Sequence, residues 1–236
     1  MPALLSLDAS TETLAVALSQ GERVWASETA GGAQASAQLL PEVQRLLREA
    51  GLQLTDLDAI AFARGPGAFT GLRTACAAAQ GLAFGANKPV LAIDSLMVVA
   101  EDARAQGARG LAWVLVDARM GELYAAPYAL DDAGCQALAE PGLYSPAALL
   151  ERLAAEPCEI LAGNGLPLLG EAVAGVPCIP LLASRAQALD RLARAAWARG
   201  ERLDAAEALP VYVRDKVALT TGEREQRAAD AALSAP

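Results

Sequence analysis

The segment spanning residues 64–85, RGPGAFTGLRTACAAAQGLAFG, restricts the fold more than any other part of the chain. Its Gly65-Pro66-Gly67 turn suits proline at the second position and glycine at the third. The turn runs into a helix predicted over residues 71–84, with Thr70 placed to cap it. Such loops often cradle phosphates, and Arg73 in the first helical turn offers an anion contact. The loop is no Walker A motif, because no G-K-[ST] supplies a lysine for a terminal phosphate, and it completes no G-x-G-x-x-G fingerprint. The helix carries two rows of small residues at a spacing of four: Gly71, Ala75 and Ala79 in one, Ala77, Gly81 and Gly85 in the other. Rows of this kind let another helix backbone approach closely. Glycine in mid-helix costs about 1 kcal/mol relative to alanine, so the missing side chain at Gly81 has a use. These features favour close helix packing over phosphate binding. Spacing leaves open whether the neighbouring helix belongs to this chain or to another.

The 236 residues allow one large domain or two small ones, and their 54% hydrophobic content is ample for a core. Nineteen basic residues against 28 acidic ones give a net charge of −9. Phosphate neutralisation supplies most nucleic-acid affinity. With no basic stripe, strong direct binding of tRNA or DNA by this chain alone is disfavoured. The chain has no histidine. That removes histidine bases, Ser-His triads and every His-containing metal site. Cys76, Cys135, Cys158 and Cys178 include no C-x-x-C pair, so neither a zinc cluster nor a redox pair is expected. Cys76 reads as a small core residue. No catalytic and no metal-ligating residue is assigned. The N-terminus lacks a basic region and Asp8 interrupts its apolar run, so no signal peptide is expected. With no long apolar span either, the reading is a cytoplasmic protein away from membranes.

The first 30 residues read as three strands, and residues 35–50 as a helix with Leu39, Leu40, Val43, Leu46, Leu47 and Ala50 on one face. Pro41 lies near its start and Gly51 closes it. Residues 58–63 and the KPVLAID run are buried strands, and Ser95 caps a helix to about Ala105. Residues 107–110 read as a linker. Beyond it come the strands GLAWVLVDA and LYAAPYAL, the helix SPAALLERLAA, the strand CEILAG, a helix through Ala174 and an amphipathic helix over 184–199. Residues after about Thr220 are polar, Ala-rich and expected to be disordered. Two halves that each open with strands and continue with helices suggest a duplicated α/β unit.

The bend in LDASTETLAVAL places Asp8, Ser10, Thr11 and Thr13 together. Its hydroxyls and amides could hold a phosphate and its Asp a magnesium ion. The same residues make a turn with no ligand, and that reading is favoured. Asp117 and Arg119 in VDARMGELY read as a salt-bridged hairpin. Gly163 and Gly165 offer a weak signal for an adenosine-binding edge.

Four stretches together, LLSLDASTETLAVAL, ARGPGAFTGLRTACAAAQGLAFG, VDARMGELY and LPVYVRDKVA, resemble the TsaB (YeaZ) family of bacterial tRNA threonylcarbamoyladenosine biosynthesis proteins. The likeness runs from about Leu4 to Ala218. It implies the two-lobed actin/Hsp70/sugar-kinase (ASKHA) α/β fold, each lobe a mixed sheet flanked by helices: lobes over 1–106 and 107–219 and a tail over 220–236. It further implies a non-catalytic partner of TsaD, the transferase that places the threonylcarbamoyl group on adenosine 37 of tRNAs reading codons beginning with A. TsaE joins that complex, and the chain alone forms a homodimer. By the resemblance, the partner interface takes in Leu39, Val43, Leu46, Gly71, Ala75, Ala78, Gly81 and Gly85. No cofactor is required by this chain alone. ATP or ADP would sit at the complex interface, with Asp8, Ser10 and Thr11 as weak cofactor-binding candidates. TsaD carries an H-x-x-x-H metal site that a chain without histidine cannot reproduce. One departure is Ala35, in QASAQLLP, where relatives commonly carry histidine. The rivals on the same fold are an ATP-binding phosphotransferase and a glycoprotease-like hydrolase.

Overall fold

Residues 2–214 are described by the computed structural model. The hairpin at the start is β1 (Ala3–Asp8) against β2 (Thr13–Gln20), and β3 (Arg23–Ala30) extends it antiparallel. β1 is buried along its whole length because helices cover both faces of the sheet, whereas β3 alternates between covered and exposed, as an edge strand does. β4 (Ala59–Gly65) and β5 (Val90–Asp94) join parallel, giving the order β3-β2-β1-β4-β5.

The second sheet repeats this plan. β6 (Gly110–Arg119) pairs antiparallel with β7 (Glu122–Leu130), and β8 (Cys135–Ala137) follows antiparallel. β10 (Ile160–Ala162) and β11 (Cys178–Ile179) lie parallel on the other side, and β9 (Gly142–Tyr144) also pairs with β7. The order β11-β10-β6-β7-β8 is that of the first sheet with β6 in the place of β1. Two mixed sheets of one topology, each flanked by helices, make the two-lobed ASKHA arrangement.

The helices fill layers around these sheets. α1 (Ala35–Ala50) and α2 (Phe69–Ala86) cover the outer face of the first sheet through one core with Leu5, Leu7, Val16, Ile60 and Phe62. α3 (Ser95–Ala105) follows β5 in the chain but packs on the second sheet, against Ala112, Val114 and Tyr128. α5 (Arg185–Ala198) returns from the second half onto the first sheet, meeting Leu4, Ala59 and Ala61. α3 and α5 touch through Val98, Leu189 and Leu192. α4 (Pro146–Ala155) covers the far face of the second sheet through Leu149. A boundary near residue 106 therefore divides the strands between two sheets, while each sheet borrows a helix from the other half.

Several local expectations are corrected. Leu40 is exposed, although Leu39, Val43 and Leu46 of the same helix are buried. α2 starts at Phe69 with Ala68 as its cap, and Thr70 lies inside its first turn, where its carbonyl accepts from the Thr74 hydroxyl. α3 is capped at Asp94, and the Ser95 hydroxyl accepts from the Gly65 N–H instead. The helix expected through Ala174 consists of two single turns, Leu166–Leu168 and Gly170–Val173. Ser145 and Ser184 do cap α4 and α5, each accepting at 3.2 Å from the N–H three residues on. The expected disordered tail lies outside the described residues.

Candidate functional site

Two turns face each other across the cleft between the sheets: the β1–β2 bend and the β6–β7 turn. In the bend the Asp8 side chain is fully buried. Its Oδ1 accepts from the Ser10 N–H at 2.7 Å, and its Oδ2 accepts from Arg185 Nε at 2.5 Å. Arg185 Nη2 also donates to the Ser10 hydroxyl at 3.0 Å. Thr11 exchanges hydrogen bonds with the backbone of Thr13. Asp8, Ser10 and Thr11 are thus brought together as the sequence suggested, but their polar atoms are spent on the turn and on Arg185. No local pattern marks Arg185, which is 177 residues from Asp8.

The opposite turn is held by positive φ at Arg119, Met120 and Gly121. Asp117 Oδ1 accepts from the Arg119 N–H, and the Asn164 side chain accepts from the Asp117 N–H at 3.1 Å. Arg119 reaches over the cleft to Glu12, so the salt bridge read within the hairpin extends to the other lobe. A cavity of about 150 Å³ remains between the two turns. Four carboxylates stand at or beside this cleft: Asp8, Glu12, Glu28 and Asp117. Its two arginines, 119 and 185, are already engaged. A phosphate entering it would meet net negative charge.

The C-terminal end of the described chain closes one side. The Val211 N–H donates to the Arg64 carbonyl at 2.7 Å. Tyr212 packs against Phe69, and Arg73 lies over the Phe69 ring at 3.6 Å while donating to the Tyr212 hydroxyl. The expected anion contact of Arg73 is therefore corrected: its guanidinium is stacked on Phe69 and hydrogen-bonded to Tyr212. Arg214 pairs with Glu122 of the second lobe. A Cβ on Gly163 would collide with the Leu115 carbonyl and one on Gly165 with the Leu123 side chain, so packing accounts for both.

The two small-residue rows of α2 point in opposite directions. Gly71, Ala75 and Ala79 face the chain's own sheet, and a Cβ on Gly71 would fall on the Ala9 carbonyl. Leu39, Val43 and Leu46 belong to the same internal core. The expectation that Leu39, Val43, Leu46, Gly71 and Ala75 form a partner face is corrected accordingly: they are the underside of that face. Ala77, Gly81 and Gly85 are exposed and Ala78 is half-buried. A Cβ on Gly81 or Gly85 would meet none of the described residues within 4 Å. Phe84, 84% exposed, stands beside them, and Leu40 is 47% exposed on α1. Among the described residues no three of Cys, Asp and Glu converge as a metal-ligand set, and no helix is long and apolar enough to cross a membrane.

Comparison with known proteins bears on this architecture as a whole. A family model described as "TsaD: tRNA N6-adenosine threonylcarbamoyltransferase" matches residues 30–195. The tRNA threonylcarbamoyladenosine biosynthesis protein TsaB of Escherichia coli is 39% identical over 131 residues, covering 56% of this chain and 57% of that protein. The protein of the same name from Haemophilus influenzae is 43% identical over 122 residues, covering 51% of each. The chain therefore spans about half the length of the curated relatives it matches. A crystal structure from Pseudomonas aeruginosa, of a protein with similarity to peptidase YeaZ, is 39% identical with a TM-score of 0.81. That match covers 91% of this chain and all of the other. The agreement of nearly the whole fold with that structure, and of the aligned sequence with the TsaB proteins, shows that this chain belongs to the TsaB (YeaZ) family.

Proposed function

We propose that the chain is a non-catalytic partner subunit in the biosynthesis of tRNA threonylcarbamoyladenosine, acting in the cytoplasm through the outward side of α1 and α2. The observation that carries this reading is Gly81. It sits in mid-helix at a propensity cost of about 1 kcal/mol, yet nothing among the described residues needs the space. With Ala77, Gly85 and the exposed Phe84 and Leu40, it forms a surface on which another helix pair can lie closely. The occupant is the transferase TsaD, whose family model this chain matches, with TsaE joining the pair. A second copy takes the place of TsaD when the chain is alone.

Two features support the absence of catalysis. There is no histidine in the sequence, and Asp8, the residue nearest to a phosphate-loop acid, is tied to Arg185. A net charge of −9 opposes direct tRNA binding. The complex gains its tRNA affinity from its partners, and any ATP or ADP sits at their interface.

The test is Gly81→Leu in the full chain. Overpacking of this kind costs about 1–3 kcal/mol, or roughly ten- to a hundredfold in affinity. Circular dichroism should be unchanged, while pull-down of TsaD and self-association in sedimentation should fall by that factor. Unchanged capture of TsaD by a folded variant would show that docking uses another surface.

A further inference from the structure

The chain contains a second recess, on the far side of the molecule from the two facing turns. It lies between the C-terminal part of α3, α5 and the β7–β8 edge, with a volume of about 500 Å³, within the range of small-molecule sites. At its base is Glu101, whose side chain is only 4% exposed. Arg104 holds that carboxylate with two hydrogen bonds, Nε to Oε2 at 2.7 Å and Nη2 to Oε1 at 3.0 Å. Arg191 of α5 adds a third, Nε to Oε1 at 2.6 Å. The two guanidiniums outweigh the burial of Glu101 and hold its carboxyl below the usual carboxylate range.

The arrangement has more cation than this carboxylate uses. Among the described residues, Arg104 Nη1 and both terminal nitrogens of Arg191 make no protein hydrogen bond. Arg199 lines the same recess, tied only to Glu201 by a pair in which both side chains are more than half exposed. Such pairs are weak and readily exchanged. The one other carboxylate in the lining, Asp131, accepts through Oδ1 from the N–H groups of Ala133 and Gly134 in its own loop. Three arginines line the recess with two acids, and Glu201 pairs with Arg199 from outside the lining, on a chain whose total charge is −9. Met97, Ala129, Leu192 and Ala195 supply an apolar part of the wall, beside Gln136.

We propose that this recess binds a small organic phosphate: the phosphoryl group against the free edges of Arg104 and Arg191, its apolar body against Met97 and Leu192. Arginine forks match phosphate oxygens in pairs. A dianion engages the free guanidinium nitrogens and draws Arg199 away from Glu201. The site is independent of the α1–α2 surface and needs no partner subunit.

Phenyl phosphate is a suitable probe, titrated calorimetrically into the full chain at low salt. Saturable binding is expected, weakened at least tenfold in Arg191→Gln, about threefold in Arg199→Gln, and at least tenfold when benzoate replaces the phosphate. Three results would each overturn the proposal: no saturation up to about 10 mM probe, unchanged affinity in a folded Arg191→Gln chain, or benzoate binding as tightly as phenyl phosphate. Should Arg191→Gln fail to fold, Arg199→Gln and Arg191→Lys decide in its place. Wild-type affinity in both variants would then place the bound probe elsewhere and sink the assignment.

Discussion

Asp8 and Asp117 stand at matching places in the two halves of the molecule. Each lies near the end of the first strand of its sheet, each is followed by alanine, and each begins the turn that faces the cleft. Asp8 is sealed from water and shares its carboxylate between Ser10 and Arg185. Asp117 is a third exposed, serves its own turn and lies 3.6 Å from an arginine that is mostly in solvent. The same acid at the same strand end has become a buried lock in one half and a solvated turn residue in the other. α5 makes the difference. It crosses from the second half onto the first sheet and carries Arg185 into the bend, and no helix of the first half returns an arginine to Asp117. The bend whose residues could hold a phosphate is closed by its own chain, and the matching turn of the second half, read as a salt-bridged hairpin, is left open.

The largest effect should come from breaking the closed member. Asp8→Ala leaves the Arg185 guanidinium buried without its counter-charge, which typically costs about 3–5 kcal/mol. Asp117→Ala removes a partly solvated group and should cost less than about 1 kcal/mol. Urea unfolding followed by circular dichroism separates the two. Pairing Asp8→Leu with Arg185→Met should recover most of the loss, because removing both charges abolishes the unpaired one. Equal losses at Asp8 and Asp117 would refute the contrast.

Glycines on the two sides of α2 sharpen the same distinction between inside and outside. Gly71→Ala drives a methyl group into the Ala9 carbonyl, and overpacking against backbone should cost about 3 kcal/mol. Gly81→Ala fills open space on a helix and should add about 1 kcal/mol of stability. Opposite signs in thermal or urea unfolding are expected. A loss at Gly81 comparable to that at Gly71 would mean that the outward row is packed within the chain.

Much of this fold can be read from residue patterns, and the exceptions have physical causes. β1, β2 and β4 are long, apolar and bounded by turn residues, so they stand out. β8, β9 and β11 have three, three and two residues and carry too little pattern to be seen. The helix expected through Ala174 has leucines at plausible spacing, but Pro167 and the positive φ of Gly170 break it into single turns. At the candidate site, the Asp8–Thr11 bend and the small residues of α2 were legible from local composition. Two things were not: which row of α2 faces outward, and which arginine meets Asp8. Both depend on how α1, α5 and the sheet stack in space. An i,i+4 row of small residues suits an inner face as well as an outer one, and no local pattern marks a contact between α5 and a strand at the opposite end of the chain.

The smallest effect concerns the open turn, where Arg119 bridges to Glu12. Both side chains are about two-thirds exposed or more, and the pair spans the cleft from one lobe to the other. Exposed ion pairs gain little because water screens the charges and two long side chains lose freedom. Glu12→Gln should therefore change stability by no more than about 0.5 kcal/mol at low salt, and the difference should vanish by about 1 M salt, where the screening length falls to about 3 Å. If the difference instead exceeded about 2 kcal/mol and persisted in high salt, Glu12–Arg119 would hold the lobes as firmly as a buried pair does. The cleft would then be closed on both sides, and the asymmetry between its two turns would disappear.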